Sequence, residues 1–459
     1  MALKAKYQYT HFIYPFVVEE KDYMNFVNSI LKNNKDWNLK IHNYDDDKES
    51  YDFFLPYMRR FLFPTLFWDK QAEKNYKIMG EIKKTLAISK LSCATFEYKL
   101  DNIKNGSISN DRSYGAIQFD ISNINLICFK SGICFLDIKT QIEDQDELID
   151  FDKILDFNYS FRNLAPRANP NNKKVSRIKA NKIDKIENIS IFIKSIISGF
   201  ETNDIEKIYY DKMFTYSYVC IDSWEDKKDF EKMKNDFFKF QYVMNSKSTA
   251  LFNNDCKKLD ENTYSRWEYS LFGFSLESGV VFVSDKEKYN ITRMPYNFEK
   301  KYFYMLLLAL YQRISLMNFS QELLKKDKTK IKGLNNRFTK FTHFSWFGQI
   351  TNSEHGMDMW ENWQNAFKLK ELFEEVHKEY LEYSDNLRDN AESRLKIVLM
   401  LTYMVTIFFS GMSLLTQLFG LKGTWIEPII VAMMILAIVS YPGYLILGWT
   451  KHKLEKRIY

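Results

Sequence analysis

Five side chains able to hydrogen-bond to water or to an ion lie on one face of an otherwise apolar segment near the C-terminal end. They recur at intervals of 4, 4, 3 and 4 residues, within an arc of roughly 80° on an α-helix: Thr402, Thr406, Ser410, Ser413 and Gln417. Lipid hydrocarbon offers these groups no partner, so this face must contact protein or water. The pattern indicates either a pore lining or a helix-packing face of small residues.

Toward the N-terminus the same face passes Leu399, Leu395 and then Glu392. In a pore, the two leucines would form apolar rings able to gate by dewetting, and Glu392 would form an acidic ring at the mouth. One chain has too few spans to enclose a conduit. A pore therefore requires a closed, symmetric homo-oligomer with this helix innermost.

The segment that carries this face is one of two long uncharged runs. Residues 397–421 and 428–450 hold no charged side chain, and each run exceeds the roughly 20 residues that a helix needs to cross a bilayer. We predict a membrane hairpin with a first span over 395–421, an external loop over 422–427 and a second span over 428–450.

The flanking charges predict the orientation of this hairpin. The loop contains Lys422 alone, whereas seven basic residues lie on the outer sides of the spans: Arg388, Arg394, Lys396, Lys451, Lys453, Lys456 and Arg457. By the positive-inside rule both termini are cytoplasmic, including the basic tail over 451–459. The predicted location is the cell inner membrane.

The residues before the hairpin are predicted to form a cytoplasmic α/β body over 1–295 and a helical stalk region over 296–394. Hydrophobic residues make up 46% of the 459 residues, which suffices for a packed core. Helices are predicted at Glu19–Lys32, Lys70–Leu86 and Ser223–Asn245. Strand-like runs are rich in aromatic and β-branched residues: Tyr7–Val18, Ala94–Leu100, Ala116–Phe129, Gly132–Thr140, Met213–Ile221 and Ser278–Ser284.

After Pro295 the pattern becomes helical. Tyr302–Gln312 is uncharged but too short to span a bilayer, so it is predicted to be a buried helix. The stretch around Gly333–Gly348 is less regular. No proline or glycine lies between Gly356 and Gly411. An unbroken helix from there through the first span would be about 60 residues and roughly 90 Å long, either a mechanical link or a static anchor.

One segment of the body concentrates positive charge. Between Phe157 and Ile183 there are seven basic residues, two prolines and no acidic residue. This composition predicts a loop, either simply solvated or forming an anion site for a phosphate-bearing ligand or for anionic lipid headgroups. The candidate ligand-binding residues are Arg162, Arg167, Lys173, Lys174 and Arg177.

The sequence holds no catalytic signature, and we predict that the protein is not an enzyme. It contains no G-x-x-x-x-G-K-[ST] loop, no G-x-G-x-x-G motif and no H-E-x-x-H motif. Six scattered histidines and five cysteines without a C-x-x-C pair predict no metal site and fit a reducing compartment. The net charge of +6 is too mild to predict nucleic-acid binding.

Two further clusters have plain structural interpretations. The three consecutive carboxylates Asp45, Asp46 and Asp47 are predicted to form a solvated turn rather than a cation site. Three tryptophans are predicted to pack between helices and body rather than to stack on bases: Trp346, Trp360 and Trp363.

Gly411, Met412 and Ser413 lie toward the end of the predicted first span. This motif and the layout of body, stalk, two spans and basic tail resemble the CorA superfamily of divalent-cation channels, which closes its first span with Gly-Met-Asn. The resemblance extends over about Phe298–Tyr459. It includes a helix before the stalk, a loop leading to the second span, and a basic tail: Ala309–Arg313, Trp425, Glu427, Pro428 and Lys451–Arg457.

The resemblance implies a cytoplasmic α/β body, a long stalk helix and a homopentameric channel, with Mg²⁺ as the family's ion. Two residues depart from the family pattern. Ser413 offers a hydroxyl where the family asparagine presents an amide carbonyl to hydrated Mg²⁺, and Lys422 adds positive charge to a loop that is usually acidic. Because Mg²⁺ prefers oxygen-rich, negatively charged sites, this entrance is expected to attract it poorly.

The enlarged body and the opening residues Tyr9–Phe16 resemble the divergent CorA-like membrane effectors of type III CRISPR systems. This resemblance implies an antiviral effector that responds to a nucleotide second messenger, such as an S-adenosylmethionine–AMP conjugate, and impairs the membrane of an infected cell.

Two other functions stay open. One is a housekeeping transporter of Mg²⁺ or another divalent cation, and the other is a membrane-anchored binding or scaffold protein.

Overall fold

The chain divides into two compact units, Met1–Val376 and His377–Tyr459. The predicted loop over 422–427, the second span and the basic tail lie outside the described residues. The computed structural model describes residues 3–33, 35–64, 66–67, 88, 90–100, 106–109, 117–143, 148–164, 177–180, 183–186, 191, 193–194, 212–222, 224, 227–249, 261–324 and 328–418.

A large mixed β-sheet organises the first unit. The described residues contain the strands β1 (Lys4–Val17), β2 (Trp37–Leu39), β3 (His42–Asn43), β4 (Leu66–Phe67), β5 (Cys93–Tyr98), β6 (Gly106–Ser109), β7 (Ile117–Phe129), β8 (Ile133–Ile142), β9 (Ile149–Asp150), β10 (Arg177–Ala180), β11 (Ile183–Ile186), β12 (Phe214–Ile221), β13 (Thr263–Trp267), β14 (Ser270–Phe274) and β15 (Ser278–Ser284). Thirteen of these strands form the sheet, in the order β11-β10-β6-β7-β8-β1-β12-β15-β14-β13. In the same sheet β2 pairs with β5, β5 with β7 and β9 with β1, while β3 and β4 pair separately.

Helices lie on both faces of this sheet. A 3₁₀ turn covers Tyr44–Asp46, and a π-helical turn over Phe298–Tyr302 leads directly into the α-helix Phe303–Leu324. The α-helices are α1 (Tyr23–Lys32), α2 (Lys48–Phe53), α3 (Pro56–Leu62), α4 (Phe151–Phe161), α5 (Lys227–Gln241), α6 (Lys288–Thr292), α7 (Met294–Asn297), α8 (Phe303–Leu324), α9 (Lys328–Phe344), α10 (Glu354–Ala366) and α11 (Leu369–Leu418).

One face of the sheet packs against α1, α4 and α5. Strand β1 lies between β8 and β12 and is buried on both faces, which explains its continuous apolar run over 12–17. Phe12 of β1 lies against Phe161 of α4, with ring centroids 4.4 Å apart. Phe237 of α5 packs on Phe282 of β15 at 5.4 Å. Each such buried aromatic side chain stabilises the fold by about 1.5–3 kcal/mol.

The opposite face of the sheet packs against the π-helical turn, α8 and α10. Phe298 stacks on Tyr216 of β12 with centroids 4.1 Å apart and planes 5° from parallel. Trp363 of α10 lies over Gly279 of β15, where a Cβ atom would sit 2.4 Å from the indole ring. Glycine at this position therefore lets α10 approach the sheet closely. The two helical layers enclose the sheet as an α/β/α sandwich.

The prediction of a mixed α/β body is confirmed. All six predicted strands are present, and the predicted helices at 19–32 and 223–245 are α1 and α5, whereas Lys70–Leu86 lies outside the described residues. In the predicted buried helix Tyr302–Gln312, Tyr302 ends the π-helical turn and the other residues lie in α8; all are buried as predicted, apart from a half-buried Tyr304. The acidic triplet forms a turn in which the Asp47 carboxylate accepts a hydrogen bond from Ser50 N and caps α2.

The structure adds two features to the helical region predicted after residue 295. The first compact unit continues past residue 295 to Val376, because α8 and α10 bury their apolar residues against the sheet. The stretch predicted to be irregular around Gly333–Gly348 is largely the helix α9. Its buried residues Leu334, Phe338 and Phe341 recur at helical spacing, so one exposed glycine in the helix is tolerated.

The helical segment after Gly356 is not one unbroken helix, because the chain breaks between α10 and α11. Lys368 has a positive φ of 51°, a left-handed conformation that costs an L-residue roughly 1–2 kcal/mol. Phe367 and Leu369 on either side are fully buried, and these contacts override the local helix preference. The helix α11 has 50 residues and is roughly 75 Å long at 1.5 Å per residue.

Replacing Lys368 by glycine is expected to stabilise the first unit by about 0.5–1 kcal/mol, because glycine adopts a positive φ without strain. Thermal unfolding of the purified full chain measures the change. Lys368→Ala is the matched control, since alanine keeps the Cβ atom and should leave the melting temperature close to the native value. A lower melting temperature for Lys368→Gly would contradict the strain assigned to this residue.

Candidate functional site

One helix among the described residues is long and apolar enough to cross a membrane. This segment of α11, Glu392–Gly411, has a mean hydropathy of 1.4, and none of it is buried within the structure. Tyr403 is 69% exposed and Ile407 70% exposed. A continuous apolar surface of this length requires lipid or protein around it.

The predicted polar stripe lies on this helix. Thr402, Thr406, Ser410 and Ser413 all fall within α11, and their side chains are exposed in the single chain. Gln417 lies on the same helix, one turn further on. The structure thus keeps the helical geometry that places these five residues on one face.

The two threonine hydroxyls of the stripe already use their protons within the helix. Thr402 Oγ1 donates to the carbonyl oxygen of Val398 at 2.9 Å, and Thr406 Oγ1 donates to that of Thr402 at 2.8 Å. A hydroxyl has one proton and two lone pairs, so each threonine presents oxygen lone pairs to its surroundings. Such a surface can accept hydrogen bonds from water or coordinate a cation. The same bonds also occur where threonine only packs helices together.

The two predicted gate leucines lie on the same helix. Leu395 is 61% exposed and Leu399 is 49% exposed, and Glu392 is exposed at the start of the apolar segment. Both side chains therefore keep about half or more of their surface in contact with solvent, and their burial contributes little to the stability of the single chain. Apolar rings formed by neighbouring copies would remove this surface from water.

Gly411 of the Gly-Met-Ser motif has open space around it. A Cβ atom built there would meet no heavy atom within 4 Å, the helix's own nearby backbone aside. Glycine inside a helix costs about 0.5–1 kcal/mol relative to alanine, and among the described residues no packing at Gly411 offsets that cost. Small residues on membrane helices allow close approach of another helix.

The structure places the predicted basic cluster only in part. Arg162 follows α4 and is buried, and its guanidinium Nη1 lies 3.1 Å from Glu277 Oε2. Lys212 approaches the same carboxylate at 3.3 Å. Arg177 lies in β10, and Arg167, Lys173 and Lys174 fall outside the described residues. The segment predicted to be a loop is helical up to Phe161, because Phe157 and Phe161 pack into the core.

A buried polar group that the sequence did not indicate lies on the sheet face covered by α8. His11 Nδ1 is 2.9 Å from Asp137 Oδ1, and Asn125 Nδ2 donates to Asp137 Oδ2 at 3.3 Å. An aspartate–histidine pair can act as a general base in an open cleft. Here the Phe303 ring covers the imidazole at 4.7 Å, so the pair ties β1 to β8. The two residues are 126 positions apart, and no sequence pattern links them.

His355 connects three elements of the first unit. Its Nε2 is 3.1 Å from Tyr302 Oη of the π-helical turn, and its Nδ1 is 3.1 Å from Tyr264 Oη of β13. Burial, aided by the positive charge of Arg266, lowers the pKa of His355 to about 4. The imidazole is therefore neutral in the folded protein at neutral pH.

Lowering the pH is expected to destabilise the protein through His355. The folded-state pKa lies below the ordinary value of 6.5, so the unfolded chain binds more protons between those values, and stability falls as the pH drops from 6.5 toward 4. The expected loss is about 2 kcal/mol between pH 7 and pH 5. Burial likewise lowers the pKa of His42 to about 3, which acts in the same direction. Urea unfolding at pH 7 and pH 5 measures this loss of stability. The His355→Gln variant should lose less stability between the two pH values. An equal free energy of unfolding of the native protein at pH 7 and pH 5 would contradict the prediction.

Comparisons with known proteins add no identification. No model of a protein family, no curated protein and no solved structure matches the chain. Within the described residues, no group of three or more His, Cys, Asp or Glu side chains is placed to hold a metal ion. The exposed side chains of helix α11 are therefore the main structural evidence for a function.

Proposed function

We propose that the chain is the subunit of a homo-oligomeric membrane ion channel in which α11 lines the pore. The observation that carries this proposal is the exposed apolar segment Glu392–Gly411 with hydroxyls along one face. Its apolar faces suit lipid and the second span, and its hydroxyl face suits water. Closed rotational symmetry would bring the hydroxyl faces of neighbouring copies together around one axis. The open space at Gly411 supports such an arrangement.

The assembly we propose is CorA-like: a pentamer in the cell inner membrane with two spans per chain and both termini in the cytoplasm. Leu395 and Leu399 form the gate, with the Glu392 ring at the cytoplasmic mouth. Ser413 and Lys422 make the opposite entrance a poor Mg²⁺ site, which separates this channel from a dedicated magnesium transporter. A mass measurement of the detergent-purified protein tests the assembly, and a monomer would exclude it.

We further propose that the channel is an antiviral effector of a type III CRISPR system, opened by a nucleotide second messenger such as S-adenosylmethionine–AMP. The basic residues between 157 and 183 support an anionic ligand. Calorimetry on the full chain, with S-adenosylmethionine–AMP as ligand and AMP and ATP as controls, tests this part. No heat with any of these compounds would contradict it.

One alternative has a specific observation in its favour. The backbone bonds of Thr402 and Thr406 suit a helix that only packs, as expected of a membrane-anchored binding or scaffold protein. Flux measurements on liposomes that contain the purified protein separate the two. A channel releases trapped ions when its activator is present, whereas an anchor does not.

A housekeeping magnesium transporter would instead restore growth of a strain deficient in Mg²⁺ uptake.

A further inference from the structure

The helix junction, residues 366–369, lies between α10 and α11. Its residues are Ala, Phe, Lys and Leu. None of them is a glycine or a proline, and alanine, lysine and leucine are good helix formers. Local sequence therefore favours one continuous helix through the junction. Contacts with other elements must impose the break that the structure contains.

Arg313 of α8 supplies the main polar contact at the junction. Its Nη1 donates a hydrogen bond of 2.8 Å to the carbonyl oxygen of Phe367, and its guanidinium lies 5.6 Å from the centre of the Phe367 ring. In a continuous helix this carbonyl would instead accept the N–H group four residues further along. Arg313 thus satisfies the backbone group that the break leaves without a helical partner.

Apolar contacts fix the two residues beside Lys368. The Phe367 ring lies 5.8 Å from that of Phe214 in β12 and 5.2 Å from that of Trp363, and Leu369 is fully buried. Lys368 itself is exposed and is held at a positive φ of 51°. The strain is therefore concentrated in one residue whose own side chain does not anchor it.

We infer that the junction is a two-state conformational switch and that the hydrogen bond from Arg313 stabilises the state in which the helix is broken. With the guanidinium on the Phe367 carbonyl, α10 and α11 are separate helices. Without it, Lys368 returns to the right-handed region and the two helices join into one. Packed elements with two discrete arrangements respond in this all-or-none way. The inference concerns the first unit alone and does not depend on a pore; in a channel, the switch would act on the helix that carries the hydroxyl stripe.

Distances between spin labels on the full chain test this switch. Glu361 of α10 and Glu375 of α11 are exposed and can be changed to cysteine and labelled. Four native cysteines are buried, and Cys256 is replaced by serine. In a continuous helix the two backbone positions would lie roughly 21 Å apart, whereas a break shortens this separation. The native protein should give one short distance, and Arg313→Met should raise the ratio of long to short populations at least tenfold.

Two further variants keep the test decisive. Lys368→Gly should retain the single short distance, because glycine removes the strain that favours release. If Arg313→Met fails to give a cooperative melting transition, Arg313→Lys replaces it. This variant keeps the charge but loses the planar donor pair, and it should shift the distance in the same direction. An unchanged distance distribution in a folded Arg313 variant would overturn the inference. A shifted distribution without any change in ion flux would support the switch and count against the channel.

Discussion

Replacing Thr406 and Ser410 together by leucine is expected to reduce ion flux through the reconstituted protein at least tenfold. The two hydroxyls are one turn apart on the exposed face of α11. In each subunit the change adds five side-chain carbons and removes two hydroxyl oxygens, which would narrow the conduit and remove the groups that hold water in it. Efflux of ions from liposomes that contain the purified protein, reported by a dye, measures the loss of flux. The proposed activator, S-adenosylmethionine–AMP, is present on the cytoplasmic side.

The matched control changes the opposite side of the same helix. Met404 and Phe408 are 52% and 62% exposed and lie about 180° from the hydroxyl stripe at 100° per residue. Met404→Leu with Phe408→Leu keeps this face apolar and should leave flux within about twofold of the native rate. Equal flux in the native protein and in the Thr406→Leu, Ser410→Leu variant would favour the anchor over the channel.

Phe298→Ala is expected to destabilise the first unit by about 3–5 kcal/mol, the range for removing a buried phenylalanine ring. Phe298 is fully buried, stacks on Tyr216 and lies 5.4 Å from Tyr9. Its loss would leave a cavity between the central strands and the π-helical turn. Since domains have total stabilities of only about 5–15 kcal/mol, the variant should melt at a much lower temperature or fail to accumulate.

An exposed phenylalanine provides the control for this change. Phe344 at the end of α9 is 70% exposed, so Phe344→Ala should alter the free energy of unfolding by no more than about 0.5 kcal/mol. Thermal unfolding of detergent-purified protein compares the two variants directly. Similar melting temperatures for Phe298→Ala and the native protein would mean that the π-helical turn does not contribute to the core.

Sequence patterns predicted the elements whose signal is local. Strands such as Ser278–Ser284 are continuous runs of apolar and small residues, and α8 begins with an uncharged, leucine-rich run, so periodicity and composition sufficed. The break at Lys368 could not be predicted in this way. The contacts at the break are distant in sequence, such as the hydrogen bond from Arg313, which is 54 positions from Phe367, and alanine, lysine and leucine at the break are themselves helix formers.

The same distinction holds for the candidate site. The hydroxyl stripe depends only on helical spacing, so the sequence located it, and α11 provides the helix that the prediction requires. Arg162 was grouped with a basic loop because its partner is distant in sequence. In the structure its guanidinium is buried against Glu277, since the packing of α4 carries it there. Charge composition alone does not distinguish a solvated arginine from a buried ion pair.

Cysteine accessibility along α11 tests the central claim most directly. Single cysteines at 402, 404, 406, 408, 410 and 413, in a background without native cysteines, are exposed to a charged thiol reagent while the full chain is in liposomes with its activator. Water in a central pore should allow rapid modification at 402, 406, 410 and 413, and lipid or protein should protect 404 and 408. Protection at all six positions, or rapid modification of 404 and 408 alone, would contradict a pore lined by this face.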